Sequence, residues 1–198
     1  PVIVLFDAIY KANFPNILTR HEQGAAHAAE GFAKVSGLPG VMLATSGPGA
    51  TNLVTGLADA YLDSVPVLAI TGAVARSATG TDAFQEADIT GITQPVTKYN
   101  YLVMSPDELL PVLEEAWNLT TEGRPGPVLV NVPKDILASP ISSSPAAIQE
   151  NRRHRPARIR TKAMTGQVYD AIRNSRRPLL LAGGGCVIAR RGTEDLRS

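Results

Sequence analysis

Cysteine is nearly absent: Cys186 is the single one in 198 residues. One thiol excludes a disulfide framework and any Cys-based zinc site. Long apolar runs are missing as well, and none approaches the roughly 18 residues of a membrane-spanning helix. No basic start leads through an apolar run to a small-residue cleavage site, so no signal peptide is expected and the cytoplasm, or an organelle matrix, is the expected compartment. Charge is sparse, at 19% of residues. With a mean hydropathy near zero, that composition excludes a disordered chain. The chain opens on Pro1-Val2 rather than Met and closes in mid-pattern, which reads as part of a longer polypeptide.

A length of 198 residues can bury a substantial core and begin a second one. The near-neutral total hides an asymmetry. Residues 1–150 carry 7 Lys+Arg against 15 Asp+Glu, whereas residues 151–198 carry 12 against 3. That reversal, with Ser142-Ser143-Ser144-Pro145 beside it, marks residues 138–162 as a linker. The basic run Arg152-Arg153-His154-Arg155, with Arg158, Arg160 and Lys162, has no interleaved aromatic and is broken by Pro156. A solvated linker explains it better than a nucleic-acid footprint, so no nucleic-acid partner is expected.

Residues 1–137 alternate short apolar runs with helical patterns. Strands are expected at 16–19, 41–44, 65–70, 96–104 and 128–132, and helices at 3–9, 22–36, 50–62 and 109–122. Ser105-Pro106-Asp107-Glu108 has the form of a capping box, and Leu109, Leu113, Ala116 and Trp117 form one apolar stripe behind it. This is an α/β pattern: a mostly parallel sheet with helices on both faces. Residues 163–175 are helical again, and Pro178–Ala182 reads as a strand entering Gly183-Gly184-Gly185, the start of a second α/β domain. Cys186 reads as a small buried hydrophobe.

Candidate chemistry gathers where strands end, the edge at which open α/β sheets bind ligands. Glu22 opens the Ala-rich helix. It is either a carboxylate that favours the helix dipole or a partly desolvated group with protonation chemistry. His21 and His27 lie about 240° apart around a helix, so they do not form the i, i+4 pair of a zinc helix and no metal is expected on them. Thr45–Asn52 looks like a phosphate loop but lacks the Lys of a Walker motif, and Asn52 stands where a dinucleotide loop needs Gly. It is a tight turn or a cradle for a polar ring edge. Phe84 and Gln85, in the long loop 73–92, pair an aromatic surface with an amide. Lys134 follows a strand and reads either as a site residue or as a surface partner of Asp135.

Taken in order, these segments resemble one family. Ile17-Leu18-Thr19-Arg20-His21-Glu22-Gln23-Gly24-Ala25-Ala26-His27 and Ala44-Thr45-Ser46-Gly47-Pro48-Gly49-Ala50-Thr51-Asn52 resemble the opening of thiamine-diphosphate-dependent enzymes. Gly80-Thr81-Asp82-Ala83-Phe84-Gln85-Glu86-Ala87-Asp88 and Arg124-Pro125-Gly126-Pro127-Val128 narrow the resemblance to the large catalytic subunits of acetolactate synthases. The resemblance implies that residues 1–137 are the domain for the cofactor's aminopyrimidine ring, without its first strand. It implies that residues 163–198 begin a central FAD-binding-type domain. A third domain, for the diphosphate and Mg²⁺, lies outside the chain, so the chain alone is expected to be inactive, with no metal ligand of its own.

The resemblance also assigns roles. Glu22 matches the glutamate that hydrogen-bonds N1′ of the aminopyrimidine, and Gln85 matches an amide near the reacting centre. Pro48, Gly49 and Asn52 match positions beside the pyrimidine, Phe84 and Lys134 the substrate approach, and Ser64 and Arg124 contacts to FAD. The implied reaction joins pyruvate to a second pyruvate or to 2-ketobutyrate in branched-chain amino acid synthesis. It would take place in a homodimer or tetramer whose active site lies between subunits, with a small regulatory subunit as a further partner. Sister enzymes of the same fold (a pyruvate oxidase, a 2-keto acid decarboxylase, another carboligase) and a non-catalytic binding module are the alternatives. Two departures from the family are Ala75, where Pro is common, and Tyr99, where Lys-His-Asn is usual.

Overall fold

The computed structural model describes residues 2–141, 162–179, 181 and 183–188. The chain divides into two compact units, Pro1–His154 and Arg155–Ser198. The first contains α1 (Ile3–Lys11), α2 (Glu22–Ser36), β1 (Gly40–Ala44), α3 (Pro48–Thr51), α4 (Val54–Asp63), β2 (Val67–Ala73), α5 (Ile89–Thr93), β3 (Tyr99–Leu102), α6 (Leu109–Thr121), β4 (Val128–Pro133) and α7 (Lys134–Leu137). The four strands among its described residues are all parallel, in the order β1-β2-β4-β3. Register pairs Ala44 with Thr71 and Thr71 with Asn131.

Period-two alternation along the strands sends side chains to two separate cores. Met42, Ala44, Val67, Ala69 and Leu129 face α2 and α4, where Ala26, Ala29, Ala33, Leu53, Leu57 and Ala60 meet them. Leu68, Val128, Val130 and Val132 face α6 and α7, packing with Leu109, Ala116 and Ile136. Both faces of the sheet are therefore covered, as the continuous apolar strands require. One polar pair lies within this interior: Thr71 Oγ1 donates to Asn131 Oδ1 at 2.9 Å.

Several local expectations change. Residues 16–19 form no strand, and Ile17 and Leu18 are each 88% exposed. An apolar tetrapeptide becomes a strand only with a ladder partner, and no described strand pairs with it. The helix expected at 50–62 is split into α3 and α4 at Asn52-Leu53. The strand expected at 96–104 narrows to β3, because a 3₁₀ turn occupies 94–96. Ser105 makes no side-chain cap. Glu108 instead accepts from the Met104 N–H at 3.2 Å, and residues 106–108 are a 3₁₀ turn. Trp117 stays 40% exposed at the rim of the α6 stripe.

In the second unit the described residues hold α8 (Lys162–Asn174) and α9 (Gly184–Ile188). Pro178, Leu179 and Leu181 are in no strand, and Cys186 is half-buried rather than buried. The basic run at 152–160 lies outside the described residues. Among the described residues no helix is long and apolar enough to cross a membrane.

Candidate functional site

Helices α2 and α4 each precede a strand of a parallel sheet, so both begin at its carboxyl edge and run side by side in one direction. His21 caps α2, its Nδ1 accepting from the Gln23 N–H at 3.1 Å. This sets Glu22 as the first helical residue. Asn52, just before α4, donates from Nδ2 to Glu22 Oε2 at 3.1 Å. Further along, Lys34 Nζ meets Asp63 Oδ2 at 2.8 Å. Between these two points Gly56 faces Ala26 so closely that a Cβ on Gly56 would fall well inside 3.0 Å of the Ala26 Cβ. The absence of that one carbon lets the helices approach and brings Asn52 within reach of Glu22.

The half-buried Glu22 carboxyl is held below its ordinary range, first by the Asn52 hydrogen bond and then by its own backbone N–H, against a smaller opposing effect of burial. It is therefore ionised at neutral pH. Gly49 lies against it: a Cβ there would stand 3.3 Å from Glu22 Oε1 and 2.7 Å from Thr45 Cγ2. Ser46 is 2% exposed and its Oγ has no hydrogen-bond partner. The Glu22 carboxylate, a glycine packed too closely against it and Thr45 to carry a side chain, and an orphaned hydroxyl thus belong to one small region.

The long loop closes on that same turn. Gly47 has φ +58°, and a Cβ on it would lie 2.6 Å from the carbonyl oxygen of Gln85. Gln85 itself has φ +62°. The structure thus brings together Glu22, Pro48, Gly49, Asn52 and the backbone of Gln85. Phe84 beside it is 89% exposed. Lys134, the exposed first residue of α7, shares the carboxyl edge at the end of β4.

Asp135 does not serve Lys134 as a surface partner. It takes Arg76 instead, Nε to Oδ2 at 2.7 Å and the Arg76 N–H to Oδ1 at 3.0 Å, while Arg76 Nη1 donates to the Met104 carbonyl at 2.9 Å. This latch joins the ends of β2, β3 and β4. No motif in the sequence pointed to it, because its members lie 59 residues apart.

Ser64 and Arg124 lie at the other edge, where α4 and α6 turn back into β2 and β4. Arg124 Nε donates to Ser64 Oγ at 2.7 Å, and Nη2 to the carbonyls of Tyr61 and Leu62 at 3.2 and 3.1 Å. The guanidinium thereby caps the carboxyl end of α4. A cavity of about 330 Å³ adjoins it, lined by Tyr61, Thr97, Lys98, Arg124 and Pro125. The two histidines do separate work. His21 is a cap, whereas His27 Nδ1 lies 3.3 Å from Glu30 Oε2 and 3.7 Å from Asp59 Oδ2. Lys34 Nζ already holds the other Glu30 oxygen, at 2.6 Å.

With this geometry in view, residues 1–92 match the family model described as the thiamine pyrophosphate enzyme, N-terminal TPP binding domain. Residues 1–92 are thus similar to the thiamine pyrophosphate enzymes. Within them the chain's likeness is to acetolactate synthases. It is 53% identical over 191 residues to one from Arthrospira platensis, covering 93% of this chain and 33% of that protein. It is 50% identical over 200 residues to one from Mycobacterium leprae, covering 99% of the chain and 31% of the relative. It is 53% identical over 175 residues to the chloroplastic acetolactate synthase 3 of Brassica napus, covering 86% and 26%. The chain thus spans between about a quarter and a third of the length of these relatives.

Proposed function

We propose that the complete protein carrying this chain is an acetolactate synthase. It decarboxylates pyruvate with thiamine diphosphate and passes the two-carbon unit to a second 2-keto acid, pyruvate or 2-ketobutyrate. The observation that carries the reading is the Glu22 carboxylate, set at a helix start, held by Asn52 at 3.1 Å and packed close against Gly49. It occurs in a chain about 50% identical to acetolactate synthases.

Thiamine diphosphate supplies, when bound, the electron sink that decarboxylation requires. These residues fit its aminopyrimidine end. Glu22 would hydrogen-bond the ring nitrogen of the aminopyrimidine and stabilise positive charge there. Gly49 and Pro48 lie beside the ring, at the start of the helical turn, and Asn52 holds the carboxylate in place. The Ser46 hydroxyl is a spare donor in the same turn. The Gln85 amide steadies substrate oxygens, and Phe84 and Lys134 flank the approach. Ser64 and Arg124 hold FAD at the opposite sheet edge, where the Arg124 and Lys98 cations and the Tyr61 ring suit a polar, anionic nucleotide. Mg²⁺ is assigned to ligands outside these residues.

Residues 1–137 form the pyrimidine-binding domain, 138–162 the linker and 163–198 the start of the FAD-binding-type domain. The assembly is a homodimer or tetramer with its active site between subunits, and a small regulatory subunit is a further partner. It works in the cytoplasm or an organelle matrix.

The test is acetolactate formation from pyruvate by the complete protein with thiamine diphosphate, Mg²⁺ and FAD, beside Glu22→Gln. Activity in the parent and a loss of at least about a hundredfold in the variant are expected, the scale of one electrostatic or proton-handling group. Acetaldehyde or acetyl phosphate as the product would move the protein to a sister activity. No cofactor-dependent product would refute the enzymatic reading.

A further inference from the structure

We propose that Glu86 is a positioning residue for Gln85: its carboxylate clamps the turn at residues 80–83 and so holds the loop 80–88 against the Gly47 turn, beside Glu22. The inference rests on the reading of Gln85 as a site residue.

The geometry is bidentate. Glu86 Oε1 accepts from the Gly80 N–H at 2.5 Å, and Oε2 accepts from the Ala83 N–H at 3.0 Å. The Glu86 N–H in turn donates to the Ala83 carbonyl at 2.9 Å. One side chain therefore closes the loop across its whole near half. The far half is fixed separately by Asp88, whose Oδ1 accepts from the Gly91 N–H at 3.0 Å and from Thr90 Oγ1 at 2.8 Å. Phe84 and Gln85 lie between these two anchors.

The loop needs such anchors because its backbone is not self-supporting. Asp82 and Gln85 both adopt positive φ, at 56° and 62°; Asp enters that region readily, but Gln occupies it only when its surroundings impose it. Contact with the Gly47 turn confines Gln85 on one side. The Glu86 carboxylate supplies the other constraint, and the surrounding backbone N–H groups keep it below the usual carboxylate range, hence charged at neutral pH. A merely solvated glutamate would not place each of its oxygens on a different N–H of one short turn.

The test uses the complete protein, with Glu86→Ala, Glu86→Gln, Gln85→Ala and the double variant Glu86→Ala/Gln85→Ala. The first readout is site-resolved amide exchange without cofactor. Gly80 and Ala83 should exchange on the order of tenfold faster in Glu86→Ala than in the parent, with Glu86→Gln in between because its amide keeps one acceptor. The second readout is kcat/KM for pyruvate. Glu86→Ala should fall toward the level of Gln85→Ala, and the double variant should be no worse than Gln85→Ala alone, because Glu86 acts through Gln85. Unchanged exchange at Gly80 and Ala83 would overturn the proposal. So would a full additional loss in the double variant, which would mean that Glu86 acts on something else. If Gln85→Ala retains full activity, the reading of Gln85 is what fails, and the exchange result still decides whether Glu86 holds the loop.

Discussion

Replacing Gly56 by Ala adds one carbon where α2 and α4 touch, and its effect can be worked from the packing. The new Cβ would fall inside 3.0 Å of the Ala26 Cβ, against a carbon–carbon optimum of about 3.5–4.0 Å. The clash is with a rigid methyl bonded to a fully buried backbone, not with the swinging end of a long side chain. The helices must therefore part by about 1 Å. Overpacking of this kind costs about 1–3 kcal/mol, while Ala in place of Gly returns about 0.5–1 kcal/mol of helix propensity. Net destabilisation of about 1–2 kcal/mol is expected in urea unfolding. Ala26 and Gly56 each lie one helical turn beyond Glu22 and Asn52, so the same displacement opens the 3.1 Å bond between those two. Carbon-13 titration of the Glu22 carboxyl should then show its pKa rising toward the ordinary glutamate value, because its largest lowering cause is lost. The exchange partner Ala26→Gly should restore both readouts, since it moves the methyl from one helix to the other at little net propensity. A Gly56→Ala protein as stable as the parent, or no rescue by Ala26→Gly, would refute this account of how α2 and α4 set the site.

Three further outcomes are expected. Thr71→Val leaves the buried Asn131 Oδ1 without its donor and should cost about 1–3 kcal/mol in urea unfolding. Asp135, held below the usual carboxylate range by Arg76, stabilises the fold above the unfolded carboxylate pKa, and that contribution is lost as pH falls through the folded value. Asp135→Asn should therefore be less stable than the parent at neutral pH, with the gap closing below about pH 4 in acid-unfolding curves. Arg124→Ala removes the cap on α4 and should cost about 1 kcal/mol, with faster amide exchange in the α4 end and the Ser64 turn as the check.

The sheet was legible because its strands are buried on both faces and read as apolar runs. β1, β2 and β4 fall within a few residues of their expected places. Residues 16–19 have strand-like composition, yet a strand is a relation between two segments, and local pattern cannot supply the second. Ser105 has the residues of a capping box, but the 3₁₀ turn at 106–108 sends Glu108 to Met104 instead. At the candidate site the motifs pointed to the turn at 45–52 and to Glu22 separately, and the structure joined them through Asn52. Gly56 carried no motif of its own, and its close approach to Ala26 shows only in the packing. Arg76 with Asp135, and Thr71 with Asn131, were not legible, because each pair depends on strand order alone.

The opposite placement of the two polar loci sets a length. β2, from Val67 to Ala73, separates the edge that carries Ser64 from the edge that carries Glu22. Seven parallel-strand residues at about 3.3 Å each put roughly 20 Å between the two edges. A 2-keto acid of a few atoms can therefore visit only one of them. A single molecule that touched both Arg124 and the Gln85 loop would have to be elongated and lie along the strands, so reach alone would separate ligands of the two edges before any side chain did.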